Sequence, residues 1–437
     1  MSAPLIAGGA APRLLLETSH DLPLVSISIG TKSGALLDAA GAEGTTRLAA
    51  RLMRRTGGGR DPQTIDTLID SLGASFGADV SASATVFQGT VIRRSLPAFV
   101  DIVTDVLSRP GLGADELGRL IRETEAELTE SLDDDRGLVR RWFRRKLFEG
   151  HPYGRAVSGT PSSLGRITPD SVAARARGIA SRDGLVFALA GDVHADEAQA
   201  LVERISSQLP EGVAAVDETP DPALPAGRRL VIVDKPERTQ TQILIGGLGT
   251  HPLDADHTAL LVGNTIFGGT FTARLTQEVR SKRGWSYGAY SSLPIDRRRQ
   301  AFSMWTFPKA EDAAACIELE LEMLKSLRER GVTKKELSWA KRYLMRSHAF
   351  AIDTASKRVG LALDALLYDL PDGYYDAYLS RLYAVTLEQV NAALGQRLPQ
   401  DDLLIVVVGT ASALRADLEK AIPNLTSTEV VRFDAES

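Results

Sequence analysis

The sequence feature that most constrains the fold is an internal repeat. A Thr-led helix start at Thr168 recurs at Thr386, and a run of buried-strand character that ends at Gly191 recurs in one that ends at Gly409. Both pairs are separated by 218 residues (168 to 386, 191 to 409), and two independent landmarks at one spacing indicate a duplication. The chain of 437 residues is also too long for one hydrophobic core, so we expect two similar halves.

Strand patterns open and close each half. Alternating apolar residues predict strands at 22–30 and 241–247, and continuous apolar runs predict buried strands at 184–191 and 402–409. Long helical stretches separate these strands, and hairpin-like glycine turns also occur, which together argue against a purely parallel sheet. The expected fold class is therefore α+β, with a mainly antiparallel sheet flanked by helices in each half.

A proline-rich segment separates the two halves. Residues 217–228 contain three prolines and a glycine near their end in a polar setting, which is typical of an extended linker at the surface. The predicted domains are therefore 1–216 and 229–437, joined by this linker.

Composition excludes several classes of function. A net charge of -5 and a pI near 5.8 give no reason to expect a nucleic-acid partner. No apolar run approaches the ~20 residues that a membrane-spanning helix needs. The single cysteine, Cys316, excludes an internal disulfide and is expected to be buried in a small-residue helical run. Residues 1–12 lack the basic and apolar regions of a signal peptide, so the predicted localisation stays open between cytoplasm and periplasm.

Two basic runs stand out against the acidic net charge, at 140–146 and 297–299. Each is either a solvated helix or loop face, or a site for a polyanion. The solvated face is the favoured interpretation, because charged runs in soluble proteins commonly lie at the surface.

Arg280 and Tyr287 lie seven positions apart. Chance matches to this spacing are common, so the pair by itself favours a structural role, and a functional role depends on the surrounding pattern. A guanidinium offers a forked donor to a peptide carbonyl or carboxylate, and a phenol adds one further hydrogen bond. Such donors stabilise the oxyanion that develops when a peptide bond is attacked.

The backbone pattern around this pair is also specific. Gly268-Gly269 predicts a close approach of two backbones without a Cβ atom, Arg274 predicts a helix start, and Gly284 predicts the end of that helix. A competing interpretation is a phosphate-binding loop, because residues 263–270 are one residue short of the P-loop pattern. Gly269 occupies the position of the essential lysine, which disfavours nucleotide binding.

These residues resemble the "GG…S-R-L…R-x-K-x-G-x-x-Y" signature in the second half of the pitrilysin/insulinase zinc peptidases. The resemblance covers nearly the whole chain and includes a helix start at 330–341, where Thr333 and Glu336 predict a capping box. It implies two metallohydrolase-like halves that enclose a chamber. It also implies that Arg280 and Tyr287 hold the substrate backbone beside the zinc.

The zinc-binding motif of that family, His-x-x-Glu-His on a helix of the first half, is absent from this sequence. The equivalent positions carry Arg47, Ala50 and Arg51 on one predicted helix face. A guanidinium has no lone pair for a metal, and alanine cannot act as the general base that activates a zinc-bound water. Glu127 lies where the resemblance places a third ligand. It is interpreted either as a relic of the zinc site or as an ion-pair partner of Arg47 or Arg51, and no zinc is expected in this chain.

The resemblance implies a non-catalytic, substrate-positioning subunit of a heterodimeric zinc endopeptidase that cleaves peptides. A homologous partner subunit would supply the zinc, its ligands and the catalytic glutamate, and this chain alone would be inactive. The alternative is a scaffold or assembly protein of the same fold with no proteolytic role. An independent peptidase with another nucleophile has no supporting motif in the sequence.

Overall fold

A computed structural model of the chain describes residues 5–7, 12–212, 215–223 and 226–436. Most of the N-terminal segment used to predict localisation, and residues 224 and 225 of the predicted linker, lie outside the described residues. The chain forms two compact units. The first comprises Met1–Leu128, Arg155–Thr219 and His348–Asp376, and the second comprises Thr129–Gly154, Pro220–Ser347 and Ala377–Ser437.

Each unit contains one six-stranded sheet. The strands in chain order are β1 (Leu5–Ala7), β2 (Arg13–Thr18), β3 (Leu24–Thr31), β4 (Ser75–Val80), β5 (Thr85–Ile92), β6 (Leu185–Gly191), β7 (Arg228–Asp234), β8 (Gln242–Leu248), β9 (Ala289–Ser292), β10 (Ala301–Thr306), β11 (Leu404–Gly409) and β12 (Leu425–Arg432). The first sheet has the order β1-β2-β6-β3-β5-β4, and the second has the order β12-β7-β11-β8-β10-β9.

The two sheets share one plan, as the duplication predicts. Strands β7, β11, β8, β10 and β9 take the places of β2, β6, β3, β5 and β4. Both sheets are mainly antiparallel, with parallel pairs between β2 and β6, β7 and β11, and β7 and β12. The α+β prediction is therefore confirmed, and the enclosed chamber stays a prediction.

Helices make up most of the remaining structure. They are α1 (Thr45–Arg55), α2 (Pro62–Ser71), α3 (Leu96–Ser108), α4 (Ala114–Glu130), α5 (Asp135–Leu147), α6 (Pro161–Leu164), α7 (Pro169–Ile179), α8 (Ala195–Ser206), α9 (His257–Phe267), α10 (Arg274–Thr276), α11 (Ala313–Arg330), α12 (Lys334–Ala351), α13 (Ala355–Leu367), α14 (Tyr378–Ala384), α15 (Leu387–Arg397) and α16 (Ala411–Ala421). Among the described residues, no helix is long and apolar enough to cross a bilayer. Cys316 lies fully buried in α11, as predicted.

The repeated helix starts have the same local chemistry. Thr168 accepts a hydrogen bond from the backbone N–H of Ser171 and donates its own N–H to the Ser171 hydroxyl at 3.1 Å. Thr386 forms the same pair of hydrogen bonds with Gln389, and its N–H donates to the Gln389 side-chain oxygen at 2.8 Å. These capping boxes begin α7 and α15 at equivalent positions of the two halves.

The first sheet is covered by helices on both faces. One face lies in a core shared with α1, α3, α7 and α8. The other face is covered by α13, whose Val359, Leu363 and Leu367 pack with Leu15 of β2 and Ala188 of β6. Helix α13 comes from the second half of the sequence, so the first unit is completed by a segment that follows it by more than a hundred residues.

The second unit shows the reciprocal exchange. Helix α5, from the first half of the sequence, lies on β8 and β11 of the second sheet. A Cβ atom at Gly246 would lie 3.0 Å from the ring of Phe143, so glycine lets this helix approach the sheet closely. The sequence-based division into 1–216 and 229–437 contains no such exchange, and its boundaries stay predictions.

Helix α5 also carries the basic run at 140–146. The run is not solvated throughout, because Arg144 is half-buried and its Nε donates to the carbonyl of Tyr153 at 2.5 Å. Burial lowers the pKa of Arg144. Arg140, in contrast, is exposed. The solvated-face interpretation therefore describes only part of this helix.

The exchanged helix predicts how the chain responds to truncation. A protein that ends at residue 219 should expose the apolar face that α13 covers, and should aggregate or bind the dye ANS strongly. Fusing residues 348–376 to it through a flexible linker should cover the first sheet again and reduce ANS binding, although α5, whose own sheet is absent from this fragment, stays uncovered. In the full chain, Leu363→Ala should lower the free energy of unfolding by about 2–4 kcal/mol, because a buried leucine leaves a cavity. Urea unfolding measures this difference.

A matched control is Leu253→Ala, because Leu253 is 52% exposed and should change the free energy of unfolding by less than about 0.5 kcal/mol. A soluble 1–219 fragment that binds no ANS would contradict the role assigned to α13.

Candidate functional site

Arg280 lies on a short, wide helical turn in the second unit. Helix α10 begins at Arg274, as predicted, and continues into a π-helical turn at Gln277–Lys282. Gly284, with φ of 67°, ends this turn and donates its N–H to the carbonyl of Arg280 at 3.0 Å. π-helical turns are rare and occur frequently at functional sites, so this turn is a candidate for one.

The paired glycines bring two backbones together before this turn. The N–H of Ser291 on β9 donates to the carbonyl of Gly268 at 3.0 Å, and a Cβ atom on Gly268 would lie only 2.6 Å from that nitrogen. A Cβ atom on Gly269 would lie 2.9 Å from the Cα of Thr265. The predicted close approach is therefore present. The P-loop interpretation is not supported, because residues 263–267 belong to helix α9 rather than to a loop.

The structure brings Arg280 and Tyr287 together. The guanidinium carbon of Arg280 lies 4.4 Å from the ring centroid of Tyr287 and 4.3 Å from that of Phe271. The cation thus contacts two aromatic rings. Tyr287 is 76% exposed and Phe271 is 57% exposed. We call Phe271, Arg280 and Tyr287 the clamp. Among the described residues, Arg280 Nη1 has no hydrogen-bond partner.

Phe271 is the member of the clamp that sequence reasoning missed. It follows the paired glycines and Thr270, where an exposed aromatic residue has no packing role in the fold. A large apolar side chain in a glycine-flanked turn was the available signal. Exposed aromatic rings of this kind commonly mark binding surfaces.

Arg274, at the start of α10, links the segment that carries Arg280 to helix α12. Its Nε and Nη2 donate to the two carboxylate oxygens of Glu336 at 2.7 and 2.8 Å, and its Nη groups reach the carbonyl of Gly331 at 3.2 Å. Glu336 also accepts the N–H of Thr333 at 2.8 Å, which confirms the predicted capping box. Burial alone would raise the pKa of Glu336, but these hydrogen bonds outweigh it and lower it to about 2.

In the first unit, helix α1 carries the positions that correspond to the zinc motif. Its start is fixed by Asp38, whose carboxylate accepts the N–H groups of Gly44 and Thr46 at 3.0 and 2.9 Å. Burial raises the pKa of Asp38 above its usual value. Ala50 is fully buried in the core, and Arg47 and Arg51 extend from the partly exposed side of the helix.

The two arginines of α1 are paired with Glu127. Arg51 donates through both Nη atoms to the carboxylate at 3.0 and 2.7 Å, and Arg47 donates at 3.2 Å. Burial would raise the pKa of Glu127, but the bonds from Arg51 and Arg47 lower it below its usual value. Of the two interpretations left open for Glu127, the structure contains the ion pair.

These donors do not fit a zinc ion. Glu127 is the only one of these four positions with a metal-ligating side chain, and two guanidinium groups at that carboxylate would repel a dication. In the described part of the chain, no group of three or more His, Cys, Asp or Glu side chains is arranged to hold a metal.

Two family models match the chain one after the other. The model described as "Insulinase (Peptidase family M16)" matches residues 13–161, and the model described as "Peptidase M16 inactive domain" matches residues 166–344. The chain belongs to the insulinase (M16) peptidase family. The resemblance carried by the clamp signature is thereby confirmed. The description of the second model as an inactive domain, and the arginines of helix α1 at positions of the zinc motif, support a non-catalytic role for this M16-family chain.

Relatives with similar sequences cover most of the chain. An "uncharacterized zinc protease" of Mycobacterium leprae is 28% identical over 392 residues, which are 88% of this chain and 87% of that protein. The "non-peptidase homolog YmxG" of Helicobacter pylori is 20% identical over 396 residues, 90% of this chain and 91% of that protein.

Solved structures show the same fold. The peptidase M16 inactive domain from Pseudomonas fluorescens superposes with a TM-score of 0.85 at 27% identity, covering 92% of this chain and 96% of that one. A protease from Helicobacter pylori superposes with a TM-score of 0.83 at 15% identity, covering 93% and 99%.

The ion pair at Glu127 predicts that a metal site can be rebuilt. The double variant Arg47→His/Arg51→His places two imidazoles beside a carboxylate that both positions already contact, giving the three protein ligands that zinc needs. We expect this variant to bind about one zinc per chain, measured by elemental analysis after dialysis. Adding Glu127→Gln should abolish the binding. A double variant that stays metal-free would show that Glu127 is not placed as a ligand.

The ion pair between Arg274 and Glu336 predicts that the stability of the chain depends on pH. The pKa of Glu336 is lowered from 4.5 to about 2 in the folded chain, so its contribution is complete above pH 4.5 and is lost as the pH falls towards 2. Glu336→Gln should therefore lower the free energy of unfolding by roughly 1–3 kcal/mol at pH 7, and by less at pH 3. Urea unfolding at both pH values tests this, with the exposed Glu329→Gln as control. A penalty that is equal at pH 7 and pH 3 would contradict it.

Proposed function

We propose that this M16-family chain is the substrate-positioning subunit of a two-chain zinc endopeptidase. The observation that supports this most directly is the clamp, in which Arg280 is held between two exposed aromatic rings. The same chain carries Arg47 and Arg51 in place of zinc ligands. A chain that has lost the means to activate water but keeps a partly buried arginine beside an exposed tyrosine is suited to holding a substrate for another subunit.

The geometry of the clamp suits a peptide backbone. Two aromatic rings lie within 4.4 Å of the guanidinium carbon of Arg280. Among the described residues its buried Nη1 has no hydrogen-bond partner, so a donor at this position lacks an acceptor. A peptide carbonyl, or the tetrahedral oxyanion formed from it, would accept these donors. The hydroxyl of Tyr287 would add another, and because the rings hold the cation before substrate arrives, the donors need little reorganisation.

The partner subunit would supply what this chain lacks. A homologous chain with an intact His-x-x-Glu-His helix would hold the zinc, and its glutamate would act as general base on the bound water. This chain would bind and orient the peptide so that its carbonyl meets that water. The substrates in this proposal are peptides.

Variants of the clamp should lower the activity of the assembled pair without dissociating it. Arg280→Ala should reduce kcat/KM for peptide hydrolysis by about 100- to 1000-fold, as expected for a lost oxyanion donor. Tyr287→Phe should reduce it by about tenfold, because one hydrogen bond is removed. Arg280→Lys should restore little activity, because an ammonium group has no planar face to stack on the rings and no forked pair of donors. Size-exclusion chromatography checks that the pair remains intact.

Arg283→Ala is the matched control for these variants. Arg283 lies on the same segment, but its guanidinium is occupied by Glu278 at 2.7 Å. Its removal should leave hydrolysis unchanged. If Arg280→Ala also leaves hydrolysis unchanged, the clamp has no part in catalysis.

A comparison of the chain alone with the assembled pair separates the two candidate functions. Bound zinc and peptide hydrolysis are measured for this chain, and then for this chain co-expressed with an M16 relative that carries His-x-x-Glu-His. Activity and zinc only in the pair support the proposed subunit. A stable pair that holds zinc and cleaves no peptide would instead identify this chain as a scaffold.

A further inference from the structure

A second arginine–aromatic contact lies in the second unit. Arg136, in the first turn of α5, places its guanidinium carbon 3.9 Å from the ring centroid of Trp305 on β10. Trp305 is stacked with Phe307 at 4.9 Å and with Tyr290 at 6.2 Å. Its Nε1 donates to Gln242 at 2.9 Å, which fixes the indole. We call Tyr290, Trp305 and Phe307 the aromatic row.

The aromatic row adjoins the clamp along the chain. A Cβ atom on Gly288 would lie 2.9 Å from the ring of Tyr290 and 3.1 Å from that of Phe307, so the row requires glycine directly after Tyr287. Tyr287 and Tyr290 are three residues apart, and their Cα atoms are therefore separated by at most about 11 Å. A peptide bound at the clamp has only a short distance to cover to reach the row.

Arg136 occupies a position that helix electrostatics disfavours. It is the second residue of α5, where its positive charge meets the positive end of the helix dipole. Arg140 follows one turn later on the same face, and two like charges at this spacing repel each other. Partial desolvation of its guanidinium and then the charge of Arg136 lower the pKa of Arg140. Both positions weaken the isolated helix.

Nearby acids do not neutralise these two arginines by direct contact. Asp134 caps α5, accepting the backbone N–H of the second helical residue at 3.0 Å, and offsets part of the neighbouring charge through space. Asp135 is engaged by Lys235 at 2.7 Å and by Arg238 at 3.2 Å. In the described chain, neither guanidinium has an ion pair of its own, so both are available to an external anion.

We propose that Arg136 and Arg140, together with the aromatic row, form a subsite that binds acidic side chains of an extended peptide held at the clamp. This inference rests on the proposed function and names its substrate class as acidic peptides. Charges placed against local preference are expected where they serve binding.

The test measures peptide binding to the full chain without its partner. The probes are two fluorescein-labelled, unstructured peptides of about 12 residues that differ only in carrying three Glu or three Gln. Fluorescence anisotropy should show that the Glu peptide binds about tenfold more tightly at low salt, with the difference shrinking at high salt because exposed charges are screened. Arg136→Gln should weaken binding of the Glu peptide about fivefold and leave the Gln peptide unchanged.

Arg145→Gln is the matched control, because Arg145 is an exposed arginine nine residues further along α5 and therefore on the opposite face. It should leave the preference intact. Arg136→Gln should change the Tm little, because the loss of the contact with Trp305 and the removal of a charge from an unfavourable position oppose each other. Arg140→Gln provides an independent second variant. Equal binding of the two peptides, or an equal loss with Arg145→Gln, would overturn the subsite.

The binding assay tests the subsite and the hydrolysis assay tests the proposed function, so the two proposals can be contradicted separately. Loss of the Glu preference, with hydrolysis by the pair still dependent on Arg280, would overturn the subsite and leave the proposed function standing. A Glu preference that depends on Arg136, in a pair that cleaves no peptide, would support the subsite as a peptide-binding surface and remove the proposed catalytic role.

Discussion

The fold of each unit depends on covering both faces of an apolar sheet. A sheet with helices on one face alone would expose a continuous patch, which soluble proteins avoid. In the first unit the second face is closed by α13, and in the second unit by α5. Each of these helices comes from the other half of the sequence. The duplicated halves are therefore interdependent, although each repeats the same strand order.

The position of the clamp depends on contacts made by residues outside it. Gly268 lets its segment bond to β9, and Arg274 joins the next turn to Glu336 at the start of α12. Directly after these two attachments the chain forms the π-helical turn that carries Arg280. The exposed rings of the clamp are thus held by backbone and ion-pair contacts rather than by a core of their own.

Local features of this structure could be predicted from the sequence, because their causes are local. The helix start at Thr168, the helix start at Arg274 and the capping box at Thr333 each follow from residues a few positions apart. The exchange of α5 and α13 could not be predicted in this way, since nothing within a helix specifies which of two similar sheets it covers. Phe271 was missed for a related reason: its ring has meaning only beside Arg280, nine residues away in the chain.

The position of α13 also determines when the first unit can finish folding during synthesis. Residues up to 219 contain its whole sheet, but the helix that closes that sheet emerges roughly 150 residues later. At translation rates of about 5–20 residues per second, the apolar surface of β2 and β6 stays uncovered for on the order of 10–30 s during synthesis. For that interval the nascent chain presents an uncovered sheet to chaperones and to neighbouring nascent chains.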